Sequence, residues 1–401
     1  MKWSPRPANG AGNVCKYDCN NWPEKRARFF PLAQRKQRPL TLHSELGEIQ
    51  LTVDYGKDRA SGKWLCPARR AWGLGPHQQI TPAWAQKLIF TVTATGSYEE
   101  AVAVVGCWGR ATDDSTLHAL VQRVGARAQA QAQVRYETLP KERQPERAPS
   151  ALGVALVDGC QVRERGLGWG KKKTQKNRVE WHELKLGVFY RQEAAARTES
   201  GRGLLTDKVV VNWLGEPLEL GRRLQWEAQR EGLGRAREIL YLGDGAPWVW
   251  NLKDDRFASA HGVLDFYHAS QHLWEVGRKV CGEAQPGLSA WVEPRLHQLR
   301  HGRERAVLGE IARLKKRRGA AGKILAREQN YFTEHAGRMN YQAVARRGWP
   351  IGSGAVESAG RQKQCRFKRA GQFWTRPGLC HLLALDEARR NHHWDQLWQL
   401  A

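Results

Sequence analysis

The order of segments between residues 152 and 280 narrows the possible folds more than any other feature. Leu152 to Val157 is an unbroken apolar run of strand length, so it reads as a buried strand, and it ends in Asp158-Gly159. Residues 179–190 alternate and close on Leu186-Gly187-Val188-Phe189-Tyr190, a second strand, and Lys208 to Trp213 is a third. Pro217 to Glu231 is helical. Arg237 to Leu242 is a fourth strand, running into Gly243-Asp244-Gly245. Pro247 opens a helix, Gly262 to Phe266 is a short fifth strand carrying Asp265, and His268 to Val280 is a helix. Three consecutive strands followed by helix–strand alternation call for a mixed sheet in an α/β domain. In such a sheet the ends of the first and fourth strands are neighbours, which would bring Asp158 and Asp244 together. Each of these aspartates, taken singly, also fits a plain turn after a strand.

A third acid stands far along the chain. Gly352-Ser353-Gly354-Ala355-Val356-Glu357-Ser358-Ala359 reads as a helix start, with Ser353 expected to supply an N-cap oxygen. Glu357 falls in the first turn, where the helix dipole favours a carboxylate. Arg361, Lys363, Arg366, Lys368 and Arg369 follow on later turns. A rigid carboxylate ahead of a cationic stretch suits a metal ligand facing a polyanion, and it also suits an ordinary N-terminal Glu, the simpler reading of this segment taken alone.

The chain of 401 residues is long enough for two or three domains. Its 65 Lys and Arg against 40 Asp and Glu give a formal charge of +25, which points to a polyanionic partner, foremost nucleic acid. No stretch approaches the length of a membrane-spanning helix, and Met1 to Pro5 lacks the apolar core of a signal peptide. The eight cysteines are scattered without a paired framework, so reduced thiols and a cytoplasmic, nucleoid-associated setting are expected. Cys15 and Cys19 lack a second clear pair, so zinc is not expected.

Ahead of the sheet region, Ile49, Leu51 and Val53 alternate as a short strand. Thr81-Pro82 and the capping box Ser97-Tyr98-Glu99-Glu100 start two helices, and Thr112 to Ser115 start a third. Three short helices fit a helix-turn-helix whose third member would present Arg123 and Arg127 to DNA, or a plain three-helix packing domain. Leu139 to Pro149 holds Pro140, Pro145 and Pro149 among charges and reads as a linker. The basic, Gly-rich stretch with Lys171, Lys172, Lys173 and Lys176 is a candidate phosphate contact. Residues 285–350 have helical periodicity and dense positive charge.

Together these residues resemble bacterial DDE-type insertion-sequence transposases. The resemblance rests on Val157-Asp158-Gly159, Gly243-Asp244-Gly245-Ala246-Pro247-Trp248-Val249-Trp250, Leu264-Asp265-Phe266-Tyr267-His268-Ala269 and Ile351 to Ser358. The stretches Arg366 to Trp374 and Asn391-His392-His393-Trp394-Asp395 extend it, and it spans roughly residues 40–400. It implies an RNase-H-like catalytic core with a helical insertion, a DNA-end-binding region, and cleavage and joining of DNA by transesterification. By position, Asp158, Asp244 and Glu357 would be the catalytic and metal-binding triad for Mg²⁺ or Mn²⁺, two ions being expected. Asp265 and His268 match an aspartate-x-x-histidine signature. His268 could orient phosphate or a catalytic carboxylate, or cap its helix. Trp374 either stacks on an unpaired base or belongs to the core.

The expected organisation is a basic strand region at 1–80, a helix-turn-helix-like domain at 81–135 and a linker at 136–150. The first part of the core follows at 151–284, the insertion at 285–350, and the acid-bearing and closing helices at 351–401. The expected partners are double-stranded DNA, both terminal inverted repeats and target, and a second copy of the chain as a dimer on DNA, with no membrane. Two other functions stay open: a catalytically inactive sequence-specific DNA-binding protein, and an RNase-H-like nuclease without strand transfer.

Overall fold

The computed structural model describes residues 15–16, 32–75, 77–109, 111–170, 178–201, 203–282, 286–314 and 319–399, of which 15–16 are described by backbone alone. The chain divides into two compact units, one of residues 1–127 with 393–401 and the other of residues 128–392.

In the first unit, β1 (Cys15–Lys16) runs parallel to β3 (Gly47–Asp58), while β2 (Leu32–Ser44) and β4 (Trp64–Leu65) pair with β3 antiparallel. β3 alternates as its sequence predicts, and β2 and β3 are both long strands. Their inward residues Leu40, Leu42, Leu51 and Val53 pack with Cys66 and Leu74 around the short helix α1 (Pro67–Ala71). Helices α2 (Pro82–Ala94) and α3 (Tyr98–Cys107) begin where their caps lie. Thr81 Oγ1 accepts from Trp84 N at 3.4 Å, and Ser97 Oγ accepts from Glu100 N at 3.0 Å. The third helix, α4 (Asp114–Glu137), is not short. It runs 24 residues without interruption, because the Ala-, Gln- and Arg-rich stretch after Val124 offers no stop signal.

The second unit is built on a five-stranded mixed sheet. It comprises β5 (Leu152–Arg165), β6 (Val179–Arg191), β9 (Val209–Trp213), β10 (Glu238–Gly243) and β11 (His261–Leu264), in the order β11-β10-β5-β6-β9. β5, β6 and β9 are antiparallel, and β10 and β11 lie parallel to β5. A side hairpin of β7 (Ala195–Arg197) and β8 (Gly203–Leu205) lies off this sheet. Helix α5 (Pro217–Arg230) covers one face of β6 and β9. There Gly187 lets Leu224 approach so closely that a Cβ would lie 2.9 Å from Leu224 Cδ2. Helices α6 (Pro247–Arg256) and α7 (Phe266–Cys281) follow β10 and β11. The stretch between α7 and the helix that bears Glu357 is helical as expected, with α8 (Gly287–Arg300), α9 (Glu304–Arg313), α10 (Gly319–Glu334) and α11 (Tyr341–Arg346). Helix α12 (Gly354–Phe367) lies on β5 from the face opposite α5, α13 (Arg376–Arg390) packs on β9, and α14 (Trp394–Trp398) ends the described chain in the first unit.

Two expectations need correction. β5 does not end at Val157. It stays paired with β6 out to Arg165 opposite Val179, whereas its pairing with β10 ends at Val157 opposite Gly243. Asp158 therefore sits inside a strand, at the point where that strand loses its parallel neighbour. The proline-rich stretch is not a free linker either. Arg143 grips Glu231 with three hydrogen bonds of 2.8, 3.0 and 2.7 Å, and Arg235 Nε donates to Glu142 at 2.8 Å. Those charges pin residues 142–143 to the body of the second unit.

The outer edge of β9 is closed by side chains rather than by another strand. Asn391 Oδ1 accepts from Val210 N at 2.9 Å, its Nδ2 donates to Val210 O at 3.1 Å, and Glu387 Oε2 accepts from Asn212 N at 3.0 Å. The variant Asn391→Ala strips both partners from a buried backbone unit, so urea denaturation should register a loss of about 2–3 kcal/mol. An unchanged midpoint would show that the edge does not need this side chain.

Candidate metal centre

Three adjacent strands finish their parallel pairing at one level. Val157 pairs with Gly243, Gly243 pairs with Leu264, and the next residue on each strand is an aspartate: Asp158, Asp244 and Asp265. The register thus lines up three acids along one end of the parallel half of the sheet. Gly243 makes room for the turn that follows, since a Cβ there would lie 2.3 Å from Val249 Cγ1. Asp244 Oδ1 accepts from Ala246 N at 2.9 Å, an Asx turn that leads into α6. Asp158 Oδ1 accepts from Gly159 N at 2.7 Å.

Asp265 is fully buried and is the N-cap of α7. Its carboxylate accepts from Tyr267 N at 3.3 Å, His268 N at 3.2 Å and Ser353 N at 3.0 Å, and its Oδ2 lies 2.7 Å from His268 Nδ1. Burial works against its charge, but the hydrogen bonds from His268 and Ser353 hold the carboxyl below its ordinary range. The same bond to Asp265 raises the His268 imidazole against the opposing effect of burial. Asp265, not His268, caps the helix, so of the uses expected for His268 capping drops out.

Glu357 reaches this region through its approach loop. Phe266 N donates to Ile351 O at 3.0 Å, and Gly352 lies so near Tyr267 that a Cβ would fall 2.7 Å from Cε2. Ser353 does not cap α12 with its side chain as expected. Its backbone N–H is taken by Asp265, and its Oγ donates to Glu357 Oε1 at 2.6 Å. Among the described residues, Asp158, Asp244 and His268 bring ligand atoms within 4.8 Å of one another, and Asp265, His268 and Glu357 do the same. His268 is the member common to both sets. Burial and then the nearby charges of Asp244 and Glu357 push the Asp158 carboxyl up to about 6, although the Gly159 N–H opposes the shift.

Three residues that the sequence did not single out border the cluster. Tyr331 of α10 stacks on His272 of α7 with ring centroids 3.6 Å apart, and His272 Nδ1 is hydrogen-bonded to the buried Glu328. A Cβ on Gly245 would fall 2.1 Å from Tyr331 Cε2, so the ring is seated directly on the backbone after Asp244. The buried Tyr331 hydroxyl has no hydrogen-bond partner among the described residues. Burial, and then Asp244, Asp265 and Glu328, raise it well above the usual phenol range. The readable signals were the spacing of His268 and His272, one turn apart on α7, and of Glu328 and Tyr331, one turn apart on α10.

The expected phosphate contacts divide. Arg361, Lys368 and Arg369 are exposed. Lys363 is 2% exposed and ion-paired to Asp386, so it is held inside and does not face a polyanion. Arg366 is buried, with its guanidinium 5.7 Å from the Trp374 ring. Trp374 is half-buried. Its indole N–H donates to Phe367 O at 2.9 Å, and its backbone bridges to β5 at Arg163 and Arg165, so it is a packing residue rather than an open stacking surface. Arg123 and Arg127 are exposed on α4, the latter 5.4 Å over the Trp398 ring. Lys171, Lys172, Lys173 and Lys176 lie outside the described residues.

No protein-family model matches the chain. A protein of Streptococcus gallolyticus, described as a UPF0236 protein in the vanSb 3′ region, is 23% identical over 331 residues, covering 82% of this chain and 68% of that protein. Among solved structures, a chain of the Drosophila P element transposase strand transfer complex aligns over 77% of this chain and 92% of its own, at 9% identity and a TM-score of 0.35. No helix among the described residues is long and apolar enough to cross a membrane.

Two variants test the electrostatics. The folded-state pKa of Asp158 lies above its unfolded value of 3.8, so its contribution to stability is complete below pH 4 and is lost as pH rises through about 6. In the absence of divalent ions, Asp158→Asn should gain on the order of 1–3 kcal/mol over the parent at pH 7 and nothing at pH 3.5, read by urea denaturation at both pH values. Tyr331→Phe keeps the stacked ring and deletes an unpaired buried hydroxyl. Its urea midpoint should hold or rise, by up to about 1 kcal/mol, and a fall would reveal a bonded hydroxyl.

Proposed function

We propose that this chain is a DNA transposase of the DDE type, with an RNase-H-like core that breaks and joins phosphodiester bonds. The observation that carries the reading is the alignment of Asp158, Asp244 and Asp265 at one level of three neighbouring strands, with His268 and Glu357 brought in from α7 and α12. The sheet order, three antiparallel strands followed by two parallel ones added on the far side of the first, supports the RNase-H-like assignment. A formal charge of +25 supports a polyanionic substrate.

The donor set fits a divalent cation. Asp158 and Asp244 offer carboxylate oxygens from the sheet in one set with His268, and Glu357, held by Ser353 Oγ at the start of the facing helix, offers its own in a second set with Asp265 and His268. Bound there, such an ion supplies Lewis-acid activation of an attacking oxygen and neutralises charge at phosphorus. The raised Asp158 reflects burial first and then the neighbouring carboxylates of Asp244 and Glu357, and a bound cation would oppose both. Asp265 does not face outward. It fixes the His268 ring and the start of the loop that carries Glu357, so the three acids would keep their spacing when DNA arrives. Water would serve as the nucleophile in cleavage and the freed 3′-hydroxyl in joining. The exposed Arg361, Lys368 and Arg369 near the end of α12 would hold the phosphate backbone.

The deciding experiment incubates the full chain with Mg²⁺ or Mn²⁺ and DNA bearing the inverted repeats that flank its gene. Strand joining is the expected result. Asp158→Asn, Asp244→Asn and Glu357→Gln should each lower it by roughly a thousandfold or more, the scale on which one member of a catalytic unit acts. Binding without cleavage would make the chain a DNA-binding protein, and hydrolysis without joining a nuclease.

A further inference from the structure

We infer that His268 is itself a metal ligand through Nε2, so that the centre is a mixed nitrogen and oxygen site which prefers Mn²⁺ to Mg²⁺. The inference rests on the proposal that this cluster binds a divalent cation. It adds a ligand that an all-carboxylate triad does not contain.

Three observations lead there. First, the set that includes both sheet aspartates is completed by His268, whereas Glu357 shares its own set with Asp265 and His268. Second, the two ring nitrogens have separate tasks. Nδ1 is committed to Asp265 Oδ2 at 2.7 Å, and Nε2 has no protein hydrogen bond among the described residues. Third, Asp265 is fully buried and is held by backbone N–H groups of Tyr267, His268 and Ser353, so it cannot swing away. A carboxylate that fixes one imidazole nitrogen and leaves the other without a protein partner, on a histidine grouped with two further acids, is the arrangement by which proteins orient a ligating histidine. A histidine kept only to pack or to cap a helix needs no such anchor, and here the cap is Asp265 itself.

Metal preference follows from donor chemistry. Mg²⁺ takes oxygen ligands almost exclusively, whereas first-row transition ions accept an imidazole nitrogen with an affinity that is lowest at Mn²⁺ and rises along the series, so Mn²⁺ loses less than Mg²⁺ when one oxygen donor is replaced by nitrogen. A nitrogen donor beside two carboxylates therefore tilts the site away from Mg²⁺.

The test uses the full chain, Mn²⁺ alone as the probe, and pulsed electron paramagnetic resonance. Bound Mn²⁺ should show coupling to one directly ligated ¹⁴N nucleus. His268→Glu, which replaces the nitrogen by an oxygen donor, should still bind Mn²⁺ but lose the coupling, and its Mn²⁺-over-Mg²⁺ preference should narrow by about tenfold. Thermal unfolding of the metal-free variant checks that it folds, and His268→Gln serves in its place if it does not. Bound Mn²⁺ without nitrogen coupling in the parent, or coupling that persists in the variant, overturns the inference and leaves the metal-centre proposal standing. If the parent binds no Mn²⁺, or binds it equally well as the Asp158→Asn, Asp244→Asn double variant, both fall together.

Discussion

The geometry of the acid cluster depends on one buried carboxylate. Asp265 takes backbone hydrogen bonds from the first turn of α7 and from the loop that leads to α12, and it also holds the imidazole of His268. An uncompensated charge at that depth would cost several kcal/mol, so each partner is needed. The same requirement fixes the end of β11, the start of α7 and residues 351–353 in one constellation. Glu357 then hangs from that constellation through Ser353, 88 residues away in sequence from the aspartate that anchors it.

A second buried network ties the opposite edge of the sheet to its helices. The hydroxyl of Tyr136 lies 2.8 Å from Glu387 Oε1 and 3.0 Å from Glu227 Oε1, and Arg230 reaches the backbone of Asn391. Burial pushes the Glu387 carboxyl up. The network joins the end of α4, helix α5 and helix α13 to β9, and so seals the antiparallel side of the sheet while the acids occupy the parallel side. The two sides differ in kind, one built of buried packing and paired backbone, the other carrying clustered negative charge.

Much of this was readable in the sequence wherever the signal was local. The caps at Thr81 and Ser97 were readable, as were the apolar runs of β5 and β10 and the acid-glycine pairs after Val157 and Gly243, because each depends on neighbours within a few residues. What escaped depends on distant pairing. The continuation of β5 past Asp158 is decided by β6, twenty or more residues on. Ser353 looked like a cap because nothing local says that Asp265 already takes its N–H. Lys363 looked like a phosphate contact because its partner, Asp386, lies on another helix. Tyr331 and Glu328 were hidden inside a stretch whose dominant feature was positive charge. The fold class follows from periodicity and order, whereas the roles of single polar residues follow from which of them tertiary contact buries.

Gly245 sits beneath the ring of Tyr331 with no room for even a methyl group. Gly245 and one aromatic of α10 are therefore fitted to each other across 86 positions of chain. A recombinant that traded this block of helices for one from a distant cousin would arrive without the matching face, and any change at 245 would be felt first by the borrowed part. The block is in that sense not interchangeable cargo: it and the sheet would have to be inherited as a pair.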